Sequence, residues 1–206
     1  MLRSAALLIA ALALAVPGIP PAARAAPLLL LPDAPGDREP VKMSAGHRCG
    51  VERWSIKTLT DPDAGIVSMR PANATVEQLG AIAVPETWNR DAPRQAAEAR
   101  TYTVHATLVG AKLEGDSDYH LVLRGNTGAT MIAEIPLASC AKGSRVEKQI
   151  AAVRAAFGKR FGTPARGWLK IGRMVNVTGV LFFDEPHGQT GVAPNAVELH
   201  PVLALN

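Results

Sequence analysis

The side chains able to carry chemistry are unevenly spread along this chain. Asp116 and Asp118 lie in the acidic run Glu114-Gly115-Asp116-Ser117-Asp118, directly before Tyr119 and His120, and Glu134 follows in the next apolar stretch. Asp184, Glu185, His187, Gln189 and Asn195 gather in one later segment. Carboxylate oxygens suit a hard divalent cation such as Ca²⁺ or Mg²⁺, and an added imidazole admits Zn²⁺ or Mn²⁺. A cation held in this way can activate water for hydrolysis. The same residues also have an ordinary structural reading: Asp in turns, a half-buried hydrogen-bonded strand His, and His187-Gly188 shaping a tight turn. No HExxH, Walker, GxSxG or EF-hand string is present, and no Ser sits on a strand-to-helix elbow. The expectation is a ligand site at Asp116, Asp118, Tyr119, His120, Glu134, His187, Gln189 and Asn195. It has no catalytic residue and no cofactor, with a divalent cation as the open option.

The elements that must position these residues follow from periodicity. Tyr102 to Lys112 alternates, with Tyr102, Val104, Ala106 and Leu108 on one face and Thr103, His105 and Thr107 on the other. Tyr119 to Arg124 and Thr130 to Ile135 read as two more strands, joined by a Gly125-Asn126 turn with Gly128. Ser144 and Glu147 form a capping-box pair, and Val146, Ile150, Val153 and Phe157 line one stripe of a helix from Ser144 to Phe161. Met174 to Phe183 and Val197 to Leu205 close the chain as strands.

Three antiparallel strands, a helix and two strands is the element order of the OB-fold, a five-stranded Greek-key barrel. The expected fold is therefore mainly β with one principal helix, an OB-like barrel (β-β-β-α-β-β) over 102–206. An open α+β sheet is the alternative. Gly110, late in the first strand, marks the bend a small barrel needs. In OB-folds, strands two and three and the loops joining one to two and four to five form the ligand face, which is where the polar residues above fall. Phe182 and Phe183 are adjacent and must point to opposite faces, so one leaves the core and docks the segment around Trp54.

The N-terminal part is less regular. Residues 1–25 read as a signal peptide: Arg3, an apolar run from Ala5 to Val16, and Ala23-Arg24-Ala25 at the cleavage site. Residues 26–48 read as a flexible leader and 49–101 as a segment packed on the barrel. Within it, Trp54 to Leu59 is strand-like, and Thr75 with Gln78 caps a short helix from Val76 to about Ile82. Export to the periplasm or outside the cell makes Cys49 and Cys140, the two cysteines present, candidates for a disulfide; two buried thiols are the alternative.

Several strings are long enough to be specific: Glu52-Arg53-Trp54 with Lys57-Thr58, Asp116 to Leu123, Thr130 to Pro136, and His187 to Asn195 running into Glu198-Leu199-His200-Pro201-Val202. On these the chain resembles a family of uncharacterised exported bacterial proteins with an OB-like C-terminal half. The resemblance implies export and assigns no catalytic residue.

Charge narrows the partners. From Lys142 to Arg173 nine basic residues face one acid, Glu147, a net of +8, against +4 for all 206 residues. Lys148, Arg154, Lys159 and Arg160 make the helix a basic flank, read either as a solvated face or as a surface for anionic polymer. Single-stranded nucleic acid is disfavoured at the rim, which is acidic and offers Tyr119 as its one ring. The leading expectation is an exported binding module for a small molecule, peptide or envelope polymer. The alternatives are a secreted metal-dependent phosphodiesterase-like hydrolase and an envelope protein held by its basic helix.

Overall fold

The computed structural model describes residues 41–44 and 46–206. The expected signal peptide, and the leader as far as residue 40, lie outside the described residues. Strand structure begins within the last part of the expected leader: β1 (Val41–Ser44) and β2 (His47–Gly50) pair antiparallel as a hairpin. The Cys49–Cys140 disulfide then ties this hairpin to the rest of the chain, with Cα atoms 5.6 Å apart.

Trp54 to Leu59, expected as a strand, begins instead as the single helical turn α1 (Trp54–Lys57). Arg53 enters it with a left-handed backbone, and one turn brings Trp54, Lys57 and Thr58 onto the same side, all buried. Packing on the sheet overrides a weak period-two pattern. Gly50 permits the approach, since a Cβ there would stand 2.4 Å from the Trp54 ring. A short strand β3 (Ala72–Ala74) and the helix α2 (Val76–Gly80) follow. The expected Thr75–Gln78 capping box forms in full.

The regular half follows the alternation. β4 (Thr101–Leu113), β5 (Tyr119–Arg124) and β6 (Thr130–Ile135) pair in sequence antiparallel. The helix α3 (Glu147–Phe161) precedes β7 (Leu169–Phe183) and β8 (Val197–Leu205). Strands β3 to β8 form one six-stranded sheet in the order β3-β4-β5-β6-β8-β7, and β4 pairs with β7 as well. The pairings of β4 with β5 and with β7 shift register between Leu108 and Gly110, at the expected bend.

One face of this sheet holds the main core: Val104, Leu108, Leu121, Leu123, Met131, Ile135, Leu181, Phe183 and Leu199, with Val153 and Phe157 of α3. Burying Phe157 completely contributes roughly 2–3 kcal/mol. Val146 and Ile150, the other half of the stripe, pack with Leu59, Val67, Val180 and Leu203 in a second cluster under the N-terminal segment. The Ser144–Glu147 capping box does not form. Glu147 is the first helical residue, Ser144 Oγ accepts from the Val146 N–H, and the Glu147 carboxylate accepts from the Gly143 N–H.

The basic flank is also narrower than expected. Lys148, Lys159 and Arg160 are exposed, but Arg154 is half-buried. It lies 3.5 Å from the Tyr119 ring centroid and donates to the carbonyls of Ile135 and Ser117 at 2.7 and 2.8 Å.

Candidate functional site

Of the polar residues expected at a rim, the strand residues His120 and Glu134 lie on the opposite face of the sheet from the main core. β5 alternates so that Leu121 and Leu123 enter the core and His120 leaves it; on β6, Ala133 and Ile135 enter and Glu134 leaves. β8 does the same, with Val197 and Leu199 inward and Glu198 and His200 outward. Register then joins them: His120 stands opposite Glu134 across β5 and β6, and the parallel β6–β8 pairing sets Ala133 beside Leu199. The loop before β5 adds Glu114 and Asp118.

This outer face is covered by the chain itself. Trp54 stands edge-on to His200 and donates its indole N–H to the Cys140 carbonyl. Phe182 points outward from β7, as expected for one of the two adjacent rings, and is covered by Arg53 and Lys57 at 4.8 and 5.2 Å from its centroid. The β7–β8 loop lies flat on β5 because Gly191 has φ 88° and a Cβ there would stand 2.7 Å from Val122. As a result Glu114, Asp118, His120, Glu134 and His200 are each no more than 6% exposed.

Inside this layer two histidines share one carboxylate. Glu134 Oε1 is 3.3 Å from His120 Nδ1, and Glu134 Oε2 is 3.1 Å from His200 Nε2. Glu114 Oε1 approaches His120 Nδ1 at 3.2 Å, and Asp118 Oδ2 approaches His200 Nε2 at 3.2 Å. Each ring's other nitrogen meets a carbonyl, His120 Nε2 that of Thr190 at 2.9 Å and His200 Nδ1 that of Lys57 at 3.0 Å. A nitrogen facing a carbonyl must donate, so approach of the other nitrogen to carboxylates favours the doubly protonated ring. The two adjacent carboxylates accordingly outweigh burial and raise both histidines, His200 to about 10. Against its burial, hydrogen bonds from His120 and His200 hold Glu134 well below the usual carboxylate range. Burial, reinforced by Glu134 and Asp184, pushes Glu198 well above it, and burial also raises Asp118. Lys112 lies 3.4 Å from Glu114 Oε1, and Lys57 lies 3.4 Å from Asp184 Oδ1.

Of the residues expected at the site, Asp118, His120 and Glu134 converge. Asp116 is buried beside them and accepts from the Asp118 N–H, as a turn residue does. Tyr119 faces the core against Phe157, in phase with Leu121. Gln189 holds Asp184 Oδ2 at 2.6 Å, at the edge of the cluster. His187 bonds the Glu185 carbonyl, and Asn195 donates to the Leu79 and Ile82 carbonyls at the end of α2. Asn195 therefore anchors the β7–β8 loop to α2. His200, Glu198, Lys57 and Lys112 were not among the expected residues. Val197-Glu198-Leu199-His200 carried the signal, since strict alternation places both polar residues on one face.

Among the described residues, two groups of three donors could hold a metal ion: Glu114, His120 and Glu134, and Asp118, Glu134 and His200. In each group the nearest donor atoms lie within 4.8 Å of one another. Comparison with protein-family models, with curated proteins and with solved structures finds no match to this chain.

Proposed function

We propose that this chain is an exported, non-catalytic binding module on an OB-like Greek-key barrel, and that its ligand sits on the outer face of β5, β6 and β8. The strand order and the β4–β7 pairing support the barrel reading, because closing β4 on β7 leaves three antiparallel strands, a helix and two strands in one ring. The disulfide supports an oxidising compartment, and no helix among the described residues is long and apolar enough to cross a membrane. The observation that carries the reading is the convergence of Glu114, Asp118, His120, Glu134 and His200 beneath the two loops that flank the ligand face of such barrels. Hydrolysis would need substrate and water to reach these groups, and their burial argues for binding instead. A closed site of this size suits an ion or a small polar group better than a polymer.

The test is an amide NMR titration of the full chain with small ions, amino acids, dipeptides and monosaccharides. Saturable shifts confined to 114–120, 132–135 and 197–200, lost in His120→Ala, support the reading. Saturable shifts confined to α3 place binding on the basic flank and overturn it, as does the absence of any saturable shift.

A further inference from the structure

A single imidazole N–H cannot align with two carboxylates at once, yet His200 Nε2 faces Asp118 Oδ2 at 3.2 Å and Glu134 Oε2 at 3.1 Å. Both contacts are long for a charge-assisted hydrogen bond, which runs at about 2.7–2.9 Å. They match another geometry. Donors bound at about 2.0–2.1 Å to a tetrahedral ion lie about 3.3–3.4 Å apart.

The remaining atoms of these three ligands are already anchored, as the second layer of a metal centre requires. His200 Nδ1 donates to the Lys57 carbonyl at 3.0 Å, which leaves Nε2 to ligate. Asp118 Oδ1 accepts from the Leu137 N–H at 3.3 Å. Glu134 Oε1 is held by His120 Nδ1 at 3.3 Å. An independent observation points the same way. Glu198, two residues before His200 on the same face of β8, is 2% exposed, and its Oε1 has no hydrogen-bond partner among the described residues. A buried carboxyl oxygen left in that state costs free energy that a cation would recover.

Resting on the binding-module reading, we propose that His200 Nε2, Asp118 Oδ2 and Glu134 Oε2 bind one divalent first-row transition ion of the zinc class, with Glu198 as a nearby buried carboxyl that the cation's charge stabilises. The donor set is one nitrogen and two oxygens in a closed cavity. Ca²⁺ takes six to eight oxygens at about 2.3–2.6 Å, and Mg²⁺ keeps several waters in an octahedron, so neither suits it. The neighbouring group of Glu114, His120 and Glu134 is the weaker candidate, because the Lys112 ammonium already stands 3.4 Å from Glu114 Oε1. His120 instead positions Glu134.

The experiment uses the full chain stripped with a chelator. Zn²⁺ should bind at one ion per chain and, at about 100-fold excess over Kd, raise the thermal midpoint by about 5–10 °C. Co²⁺ in its place should give the intense visible absorption of a four-coordinate ion. His200→Gln and Asp118→Asn should each weaken Zn²⁺ binding at least 100-fold, whereas His105→Gln, on the exposed side of β4, should leave it unchanged. Glu198→Gln should weaken it about tenfold with an unchanged circular dichroism spectrum. If the first two variants do not fold, the Co²⁺ spectrum and Glu198→Gln decide. An octahedral spectrum, unchanged affinity in Glu198→Gln, or retention of zinc in His200→Gln and Asp118→Asn overturns the site. No Zn²⁺ binding, with another titrant saturating the same face, overturns the metal assignment and leaves the binding-module reading standing. No response to any probe overturns both.

Discussion

Glu134 divides its two oxygens between two histidines from different strands, His120 on β5 and His200 on β8, at 3.3 and 3.1 Å. One carboxylate therefore joins both halves of a buried charged layer, and removing its charge leaves two imidazolium rings short of a partner. Glu134→Gln is expected to destabilise the metal-free protein by about 3–5 kcal/mol at pH 7, measured by urea unfolding. A loss below about 1 kcal/mol would mean that the two rings are not charged through this carboxylate.

The pH dependence has a definite sign. The folded pKa of His200, about 10, stands above its ordinary 6.5, so its contribution is fully present below about pH 6.5 and is lost as pH rises through 10. Glu198 acts in the same direction, because a carboxyl held neutral by burial destabilises the fold as pH rises above its ordinary 4.5. Stability of chelator-treated protein should therefore fall between pH 6.5 and 10, with a slope approaching about 1.4 kcal/mol per unit. Unfolding titrations at half-unit steps check this, and His200→Gln should flatten the slope.

A second buried pair fastens the N-terminal segment. Arg53 Nη1 and Nη2 each lie 2.7 Å from a different oxygen of Glu98, which is fully buried, and Glu98 also accepts from the Phe183 and Gln95 N–H groups. Glu98→Ala should cost about 3–5 kcal/mol because it strands a buried guanidinium. Arg53→Lys should recover little, since an ammonium cannot reproduce the two-pronged contact. Chemical denaturation of both variants measures the difference.

The disulfide closes a sequence separation of 91 residues. In the chain-entropy model such a loop is worth about 4–5 kcal/mol. Reduction should lower the thermal midpoint by roughly 10 °C or more, and Cys49→Ala/Cys140→Ala should reproduce that loss without reductant.

At the β5–β6 turn, Glu77 accepts from both the N–H and the hydroxyl of Thr127 at 3.0 Å, and these bonds lower its pKa to about 2. Its contribution is present above its ordinary pKa of 4.5 and is lost as pH falls through 2. Glu77→Ala should cost no more than about 1 kcal/mol and should raise amide exchange at Thr127 and Gly128, read by NMR.

Much of this molecule was legible in the order of its residues. Alternation located β5, β6 and β8 to the residue, because a strand with one apolar face buried has a period of two and a slip would expose that face. The Val146–Ile150–Val153–Phe157 stripe located the buried side of α3, and the two cysteines in an export reading anticipated the bridge that forms. His120 and Glu134 were legible as outward-facing residues from phase alone. Tertiary structure decided the rest. That His200 joins them depends on β8 lying beside β6, a pairing between residues far apart in the chain. That the cluster is buried depends on α1 and the β7–β8 loop folding over the sheet. Arg154 was expected on an exposed basic flank and Asn195 at the ligand site, yet each meets backbone carbonyls that only the folded chain brings within reach. Local sequence sets which face a side chain takes, whereas its neighbours across the fold set what that face meets.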